Sequence, residues 1–224
     1  INQIREIMKF KFFQRLLFCT TILWGVAQNN LTAQTDPDSL DLKIGDEAPS
    51  FALMYAPGKF EFLKNWSETE GKKLRKNVTQ PNRHAVILSF FATWCKPCMK
   101  ELPLLEQVYQ EYKDTRIKFF LVDITDATRN NPGEVYGMKY ADAPEAQGFL
   151  KKKGMTMQIL YDRRGHTMKR YNAMKLPRLF VMDGYRKITF MRKGFHEGEE
   201  EKFVRELSEE IDKRLAELPP LVKQ

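Results

Sequence analysis

The chain has 224 residues and 42% hydrophobic content, enough for one domain with its own core. Its formal net charge is +8, but the basic runs Lys72-Lys73, Lys151-Lys152-Lys153 and Arg163-Arg164 lack interleaved aromatics, which argues against nucleic-acid binding and for solvated helix ends and turns. Three cysteines, two of them in one Cys-x-x-Cys, are too few for a disulfide-stapled small fold.

In chain order, Lys9, Lys11 and Arg15 precede an apolar run from Leu16 to Ala27. This is the charged n-region and h-region of a signal peptide, too short for a membrane span. Cleavage is expected after Gly25-Val26-Ala27 or Leu31-Thr32-Ala33, so residues 1–33 are read as signal. Met8 is the expected start of such a signal, with residues 1–7 expected to lie upstream of translation. Cys19 lies behind Phe18 rather than a small residue and reads as a signal-core cysteine, not a lipid attachment point. Left uncleaved, the same segment would anchor the protein in a membrane. Removing it leaves 33 basic and 28 acidic residues, a net charge of about +5. Residues 34–42 are polar and read as a flexible spacer.

The domain is expected over residues 43–217, with 218–224 as a tail. Met54 to Leu63, broken at Pro57-Gly58, reads as strand, turn, strand. Residues 64–83 read as a surface loop or short helix. Ala85 to Phe91 is a buried strand, and Leu102, Leu105, Val108, Tyr109 and Tyr112 give the next stretch helical spacing, with a kink expected at Pro103. Ile117 to Asp123 is a second buried strand, making a right-handed βαβ unit with a parallel pair. Residues 124–141, containing Asn130-Asn131-Pro132-Gly133, are expected to be an irregular polar loop. Asp142 is placed to cap a helix over 143–153 that stops at Gly154. Met157 to Tyr161 reads as a third parallel strand. A turn at 162–165 and a short helix at 167–173 follow. Leu179 to Asp183 and Lys187 to Arg192 then form an antiparallel hairpin around Gly184-Tyr185. A closing amphipathic helix carries Phe203, Leu207, Ile211 and Leu215.

The chemistry sits where the first buried strand passes into its helix, at Cys95-Lys96-Pro97-Cys98. A helix N-terminus offers unpaired N–H groups and the positive end of the macrodipole. A thiolate there is stabilised, so Cys95 is the expected nucleophile. Cys98, one turn in, is more enclosed and is the expected resolving thiol. Pro97 suits the first helical turn, where its missing N–H is harmless. Lys96 adds a positive charge. A structural staple across so short a loop would gain little. Zinc would need ligands that His84, His166 and His196, scattered along the chain, do not supply. No metal is expected, and no cofactor beyond the redox-active Cys95–Cys98 pair.

Phe91-Ala92-Thr93-Trp94-Cys95-Lys96-Pro97-Cys98, followed by Glu101 and Pro103, resembles the thioredoxin superfamily. More narrowly it is similar to the TlpA/ResA group of extracytoplasmic thiol–disulfide oxidoreductases, from about Lys43 to Leu215. The resemblance implies an α/β, thioredoxin-like fold: a central mixed sheet flanked by helices, with an added N-terminal β-hairpin and Ile44 to Leu53 as its opening strand. It places Pro177 where such folds carry a cis proline facing the cysteines, leaving the Leu176 backbone free to pair with an extended substrate and keeping metal ions from the thiols. Trp94 is expected at the rim of the site. Glu101 is either a nearby base or an exposed helix residue. Ser89 stands where cytoplasmic thioredoxins have a buried aspartate, and a serine cannot serve as that base, so Glu101 or water must.

The implied activity is reduction of disulfides in envelope proteins, apocytochrome c among them. Electrons would come from a membrane-embedded thiol donor, and the location would be the periplasm or cell envelope. A disulfide oxidase or isomerase is the alternative. A peroxidase would need a threonine or serine three before its cysteine, where this chain has Ala92. A Sco-type copper chaperone, the non-enzymatic alternative, would need one more residue between the cysteines and a histidine near Pro177.

Overall fold

The computed structural model describes residues 41–75, 82–130 and 140–221, all within one compact unit, Asp38–Gln224. The expected signal, most of the spacer, residues 131–139 of the expected loop and the last three residues lie outside the described residues. Among those described, no helix is long and apolar enough to cross a membrane.

Seven strands form one mixed sheet: β1 (Ala52–Ala56), β2 (Lys59–Phe62), β3 (Ala85–Phe91), β4 (Ile117–Asp123), β5 (Gln158–Tyr161), β6 (Arg178–Met182) and β7 (Ile188–Lys193). Their order is β2-β1-β5-β4-β3-β6-β7. The added N-terminal hairpin β1–β2 joins through an antiparallel β1–β5 pair. β3, β4 and β5 run parallel, while β6 and β7 are antiparallel. β3 lies inside the sheet, between β4 and β6, and all seven of its residues are buried, which is why it reads as an unbroken apolar run rather than an alternating one. Its register with β4 holds from Ala85–Ile117 to Phe91–Asp123, so both strands end together at one edge of the sheet.

Among the described residues, five α-helices flank the sheet: α1 (Lys96–Tyr112), α2 (Thr125–Asn130), α3 (Ala146–Lys152), α4 (His166–Arg170) and α5 (Glu200–Glu217). α1 and α5 pack together, joined by a hydrogen bond from the Tyr112 hydroxyl to Asp212 Oδ1 at 3.0 Å. Tyr171, behind α4, is fully buried against the rings of Phe90 and Phe180, with centroids 5.3 and 5.2 Å away.

Three expectations need correction. Ile44 to Leu53 is not a continuous strand. Ile44 is exposed, Gly45 takes a left-handed φ of 97°, and only an isolated bridge from Glu47 to Lys187 precedes β1. The stretch after β4 begins as a helix, α2, because Ile124 and Ala127 are buried and Asp126 pairs with Arg129 at 3.5 Å one turn on. α3 starts three residues later than expected. Pro144 disfavours helical backbone at Ala143, and Glu145 is the cap, accepting from the N–H groups of Gln147 and Gly148. α1 runs as one helix through Pro103. The core itself begins at Leu42, which is buried although it closes the expected spacer.

Candidate active site

β3 delivers the chain to an elbow, Ala92-Thr93-Trp94, which closes when the Cys95 N–H donates to the Ala92 carbonyl at 3.0 Å. Cys95 has extended backbone and is the N-cap of α1. Its Sγ accepts from the Cys98 N–H at 3.2 Å, so the sulfur occupies the capping position, among donors that the helix cannot satisfy internally. Pro97 lies in the first turn. The two sulfurs are joined in a disulfide. Cys98 is fully enclosed, while Cys95 retains 3% exposure and borders an open cleft.

Glu101 follows Cys98 by one turn on the same buried face of α1. Of the two roles left open for it, exposure is ruled out: it keeps 1% of its surface. Ser89, fully buried on β3, donates to Glu101 Oε1 at 3.3 Å. The carboxyl thus reaches in from the helix towards the strand position where a serine stands. Burial pushes its pKa from 4.5 up to about 7; the Ser89 bond and the Arg192 charge pull the other way. A group poised there can exchange a proton near neutral pH.

The cleft, about 600 Å³, is lined by Trp94, Cys95, Lys96, Pro97, Tyr140, Lys175 and Leu176. The Trp94 ring stacks on Tyr140 with centroids 4.2 Å apart and planes 11° apart. Its indole N–H donates to Thr128 Oγ1 at 3.0 Å. Across the opening, the Leu176–Pro177 bond is cis. Pro177 is buried and its carbonyl accepts from the Gly194 N–H at 2.8 Å. Among the described residues, the Leu176 backbone makes no hydrogen bond. No three metal-ligating side chains gather among the described residues.

Several parts of the site carry no sequence signal of their own. Thr93 donates through its N–H to Thr125 Oγ1 at 3.0 Å and through its hydroxyl to the Pro144 carbonyl at 2.8 Å. Thr125 in turn donates through its N–H to Asp123 Oδ1 at 2.9 Å. Burial raises the Asp123 carboxyl from 3.8 to about 6, against the two Thr125 hydrogen bonds. Tyr140 enters the cleft from a stretch that no motif marks, and Lys175 stands just before the marked Leu176-Pro177 pair. The one readable hint was helical spacing: Cys98, Glu101 and Leu105 share a face at intervals of three and four.

A model of the AhpC/TSA family matches residues 44–191. The thiol-disulfide oxidoreductase ResA of Bacillus thuringiensis subsp. konkukian (strain 97-27) is 26% identical over 187 residues, covering 83% of this chain and 87% of the relative. The ResA of Bacillus anthracis is 31% identical over 131 residues, 56% of this chain and 67% of the relative. Among solved structures, one from Bacteroides thetaiotaomicron, described as a protein disulfide isomerase, superposes with a TM-score of 0.55 at 22% identity over 79% of this chain and 92% of its own. At that identity the likeness concerns the thioredoxin-like fold.

Proposed function

The chain belongs to the AhpC/TSA family and is a thiol–disulfide oxidoreductase with a thioredoxin-like fold; on that premise we propose that it is an exported reductant of disulfides in envelope proteins, with Cys95 as nucleophile and Cys98 as resolving thiol. The observation that carries this reading is the placing of Cys95: N-cap of α1, sulfur on the Cys98 N–H, at the wall of an open cleft. In the reduced protein the same donors and the helix dipole favour its thiolate. That thiolate attacks a substrate disulfide, forming a mixed disulfide and releasing one substrate sulfur. Cys98 then gives its proton to Glu101 and displaces the second substrate sulfur from Cys95. Two electrons have passed to the substrate, and the Cys95–Cys98 disulfide remains. Leu176, whose backbone makes no hydrogen bond among the described residues and which borders the cleft, pairs with the extended substrate chain.

The dithiol needs no further cofactor. A membrane-embedded thiol donor returns the pair to its reduced form, and apocytochrome c is among the candidate substrates. The signal-like stretch before residue 34 is the basis for assigning export to the periplasm or cell envelope. Equilibration with glutathione is expected to give a potential of roughly −270 to −180 mV, between thioredoxin and protein disulfide isomerase. Cys95→Ser must abolish reduction of a model disulfide, and Cys98→Ala must hold substrates on Cys95 as mixed disulfides. Full activity of Cys95→Ser, or a potential as oxidising as that of a dedicated oxidase, would end the proposal.

A further inference from the structure

The cleft has a charge pattern that the oxidoreductase reading does not require. One wall is aromatic, the Trp94–Tyr140 stack. Lys96 and Lys175 also line it, and among the described residues no carboxylate does. Both lysines are exposed, and neither has an ion-pair or hydrogen-bond partner among the described residues. The next lysine along α1, Lys100, is paired with Glu197. Lys96 is covalently next to the reacting sulfur, and Lys175 next to the Leu176 backbone. These are the two places that an incoming chain passes. The attacking species is an anion, so a cleft with no added charge would repel acidic substrate. Two lysines reverse that field where the substrate cysteine must enter.

We propose that this cleft selects disulfides set in acidic polypeptide. The favoured substrate is an extended segment with Asp or Glu within two residues of the cysteine that joins Cys95, its carboxylates lying against Lys96 and Lys175. The proposal rests on the oxidoreductase reading and names its substrate class. Spacing supports it: a strand advances about 3.3 Å per residue with alternate side chains on one face. A carboxylate one or two residues from the sulfur therefore stays within reach of a flexible lysine. The reaction is unchanged. The substrate S–S bond breaks as the Cys95–S bond forms, the departing thiolate takes a proton from water, and attack by Cys98 frees the second thiol.

The test uses three peptides with the same intramolecular disulfide, its cysteines flanked by Glu, Gln or Lys. Pre-reduced protein is mixed with each, and each rate is divided by that peptide's rate with dithiothreitol to remove intrinsic reactivity. The Glu peptide is expected to react about tenfold faster than the Gln peptide and the Lys peptide slower still. The gap should narrow between 20 and 300 mM salt, as exposed charges are screened. In Lys96→Gln/Lys175→Gln the Glu-to-Gln ratio should fall below about twofold, whatever the absolute rates. Equal normalised rates in the unmodified protein, or a preference that survives the double substitution, overturn the charge selection alone. If none of the peptides is reduced, the oxidoreductase reading fails and the proposal with it.

Discussion

Glu101 is where proton transfer and stability meet in one side chain. It is neutral in much of the folded population near pH 7, because burial raises its pKa to about 7. Two consequences follow for Glu101→Gln. A base one turn from Cys98 accelerates the resolving step, and positioned proton transfer contributes about 10²-fold or more. The variant should therefore form mixed disulfides at a nearly unchanged rate but resolve them at least about tenfold more slowly. The inflection near pH 7 in the resolution rate should disappear. Quenched-flow trapping with acid separates the two steps, and equal slowing of both would show that Glu101 acts by packing alone. The stability effect has the opposite sign. The folded pKa lies above the unfolded one, so the stability of the protonated pair is complete below pH 4.5 and is lost as pH rises towards 7. Glutamine keeps a neutral side chain there without that penalty. The variant should be more stable than the parent at pH 8, by up to roughly 3 kcal/mol, and nearly equal to it at pH 4.5. Urea unfolding at the two pH values measures this.

At the scale of elements, the site is a joint between β3, α1, α2 and the segment before α3. Thr93 and Trp94 in the elbow are fastened to Thr125, Thr128 and Pro144 by hydrogen bonds of 2.8–3.0 Å. Thr128 holds the Trp94 indole and also donates to the Thr125 carbonyl at 2.7 Å. Thr128→Val keeps the volume but strands both partners, at a cost of about 1–3 kcal/mol. Chemical denaturation should show that loss. The loosened aromatic wall should raise KM for peptide disulfides more than it lowers kcat, and an unchanged KM would mean that Trp94 does not bear on binding.

This joint also marks the limit of what the sequence discloses. β3 and β4 announce themselves, because a strand buried on both faces needs an unbroken apolar run. The redox pair announces itself because its spacing has a chemical meaning. Thr93, Thr125 and Thr128 are common polar residues whose value lies in contacts made across the chain, Thr93 with Thr125 over 32 positions and Thr128 with Trp94 over 34. Glu101 reads equally as a base near the cysteines or as an exposed helix residue, and its burial in the fold decides between them. The unexpected α2 and late-starting α3 have local causes, buried Ile124 and Ala127 and the break at Pro144. Polar composition weighted the first segment towards loop, whereas the second is a helix as expected and only its start differs, capped by Glu145 in place of Asp142.

For the molecule as a whole, Glu101, Asp123 and His84 compete to set its pH profile, with the buried Asp162, also raised by desolvation, on the side of the other two carboxyls. Glu101 at about 7 and Asp123 at about 6 both hold protons in the fold that the unfolded chain has already released. Their stabilisation is complete at low pH and is lost as pH rises through about 6 to 7. His84 works against them. Burial lowers it to about 4, opposed by its bond to the Asn82 carbonyl and helped by Lys118 and Arg116. It is therefore neutral in the fold while the unfolded chain protonates it below pH 6.5, so its contribution falls as pH falls from 6.5 to 4. Between about pH 4.5 and 6 the two carboxyls retain two protons against the one that His84 forgoes. The fold then binds about one extra proton, and each pH unit there costs about 1.4 kcal/mol of stability. The protein should be on the order of 2 kcal/mol more stable at pH 5 than at pH 8. That is a fall in melting temperature of roughly 4–8 °C for a domain of this size. The slope must reverse in Glu101→Gln/Asp123→Asn, where His84 is left opposed only by Asp162 and stability rises with pH up to about 6.5, and steepen in His84→Gln, since each weakens one side of the competition. A melting temperature that rises from pH 5 to pH 8 would show that the histidine dominates and that the carboxyls beneath the cleft are already ionised in the folded state.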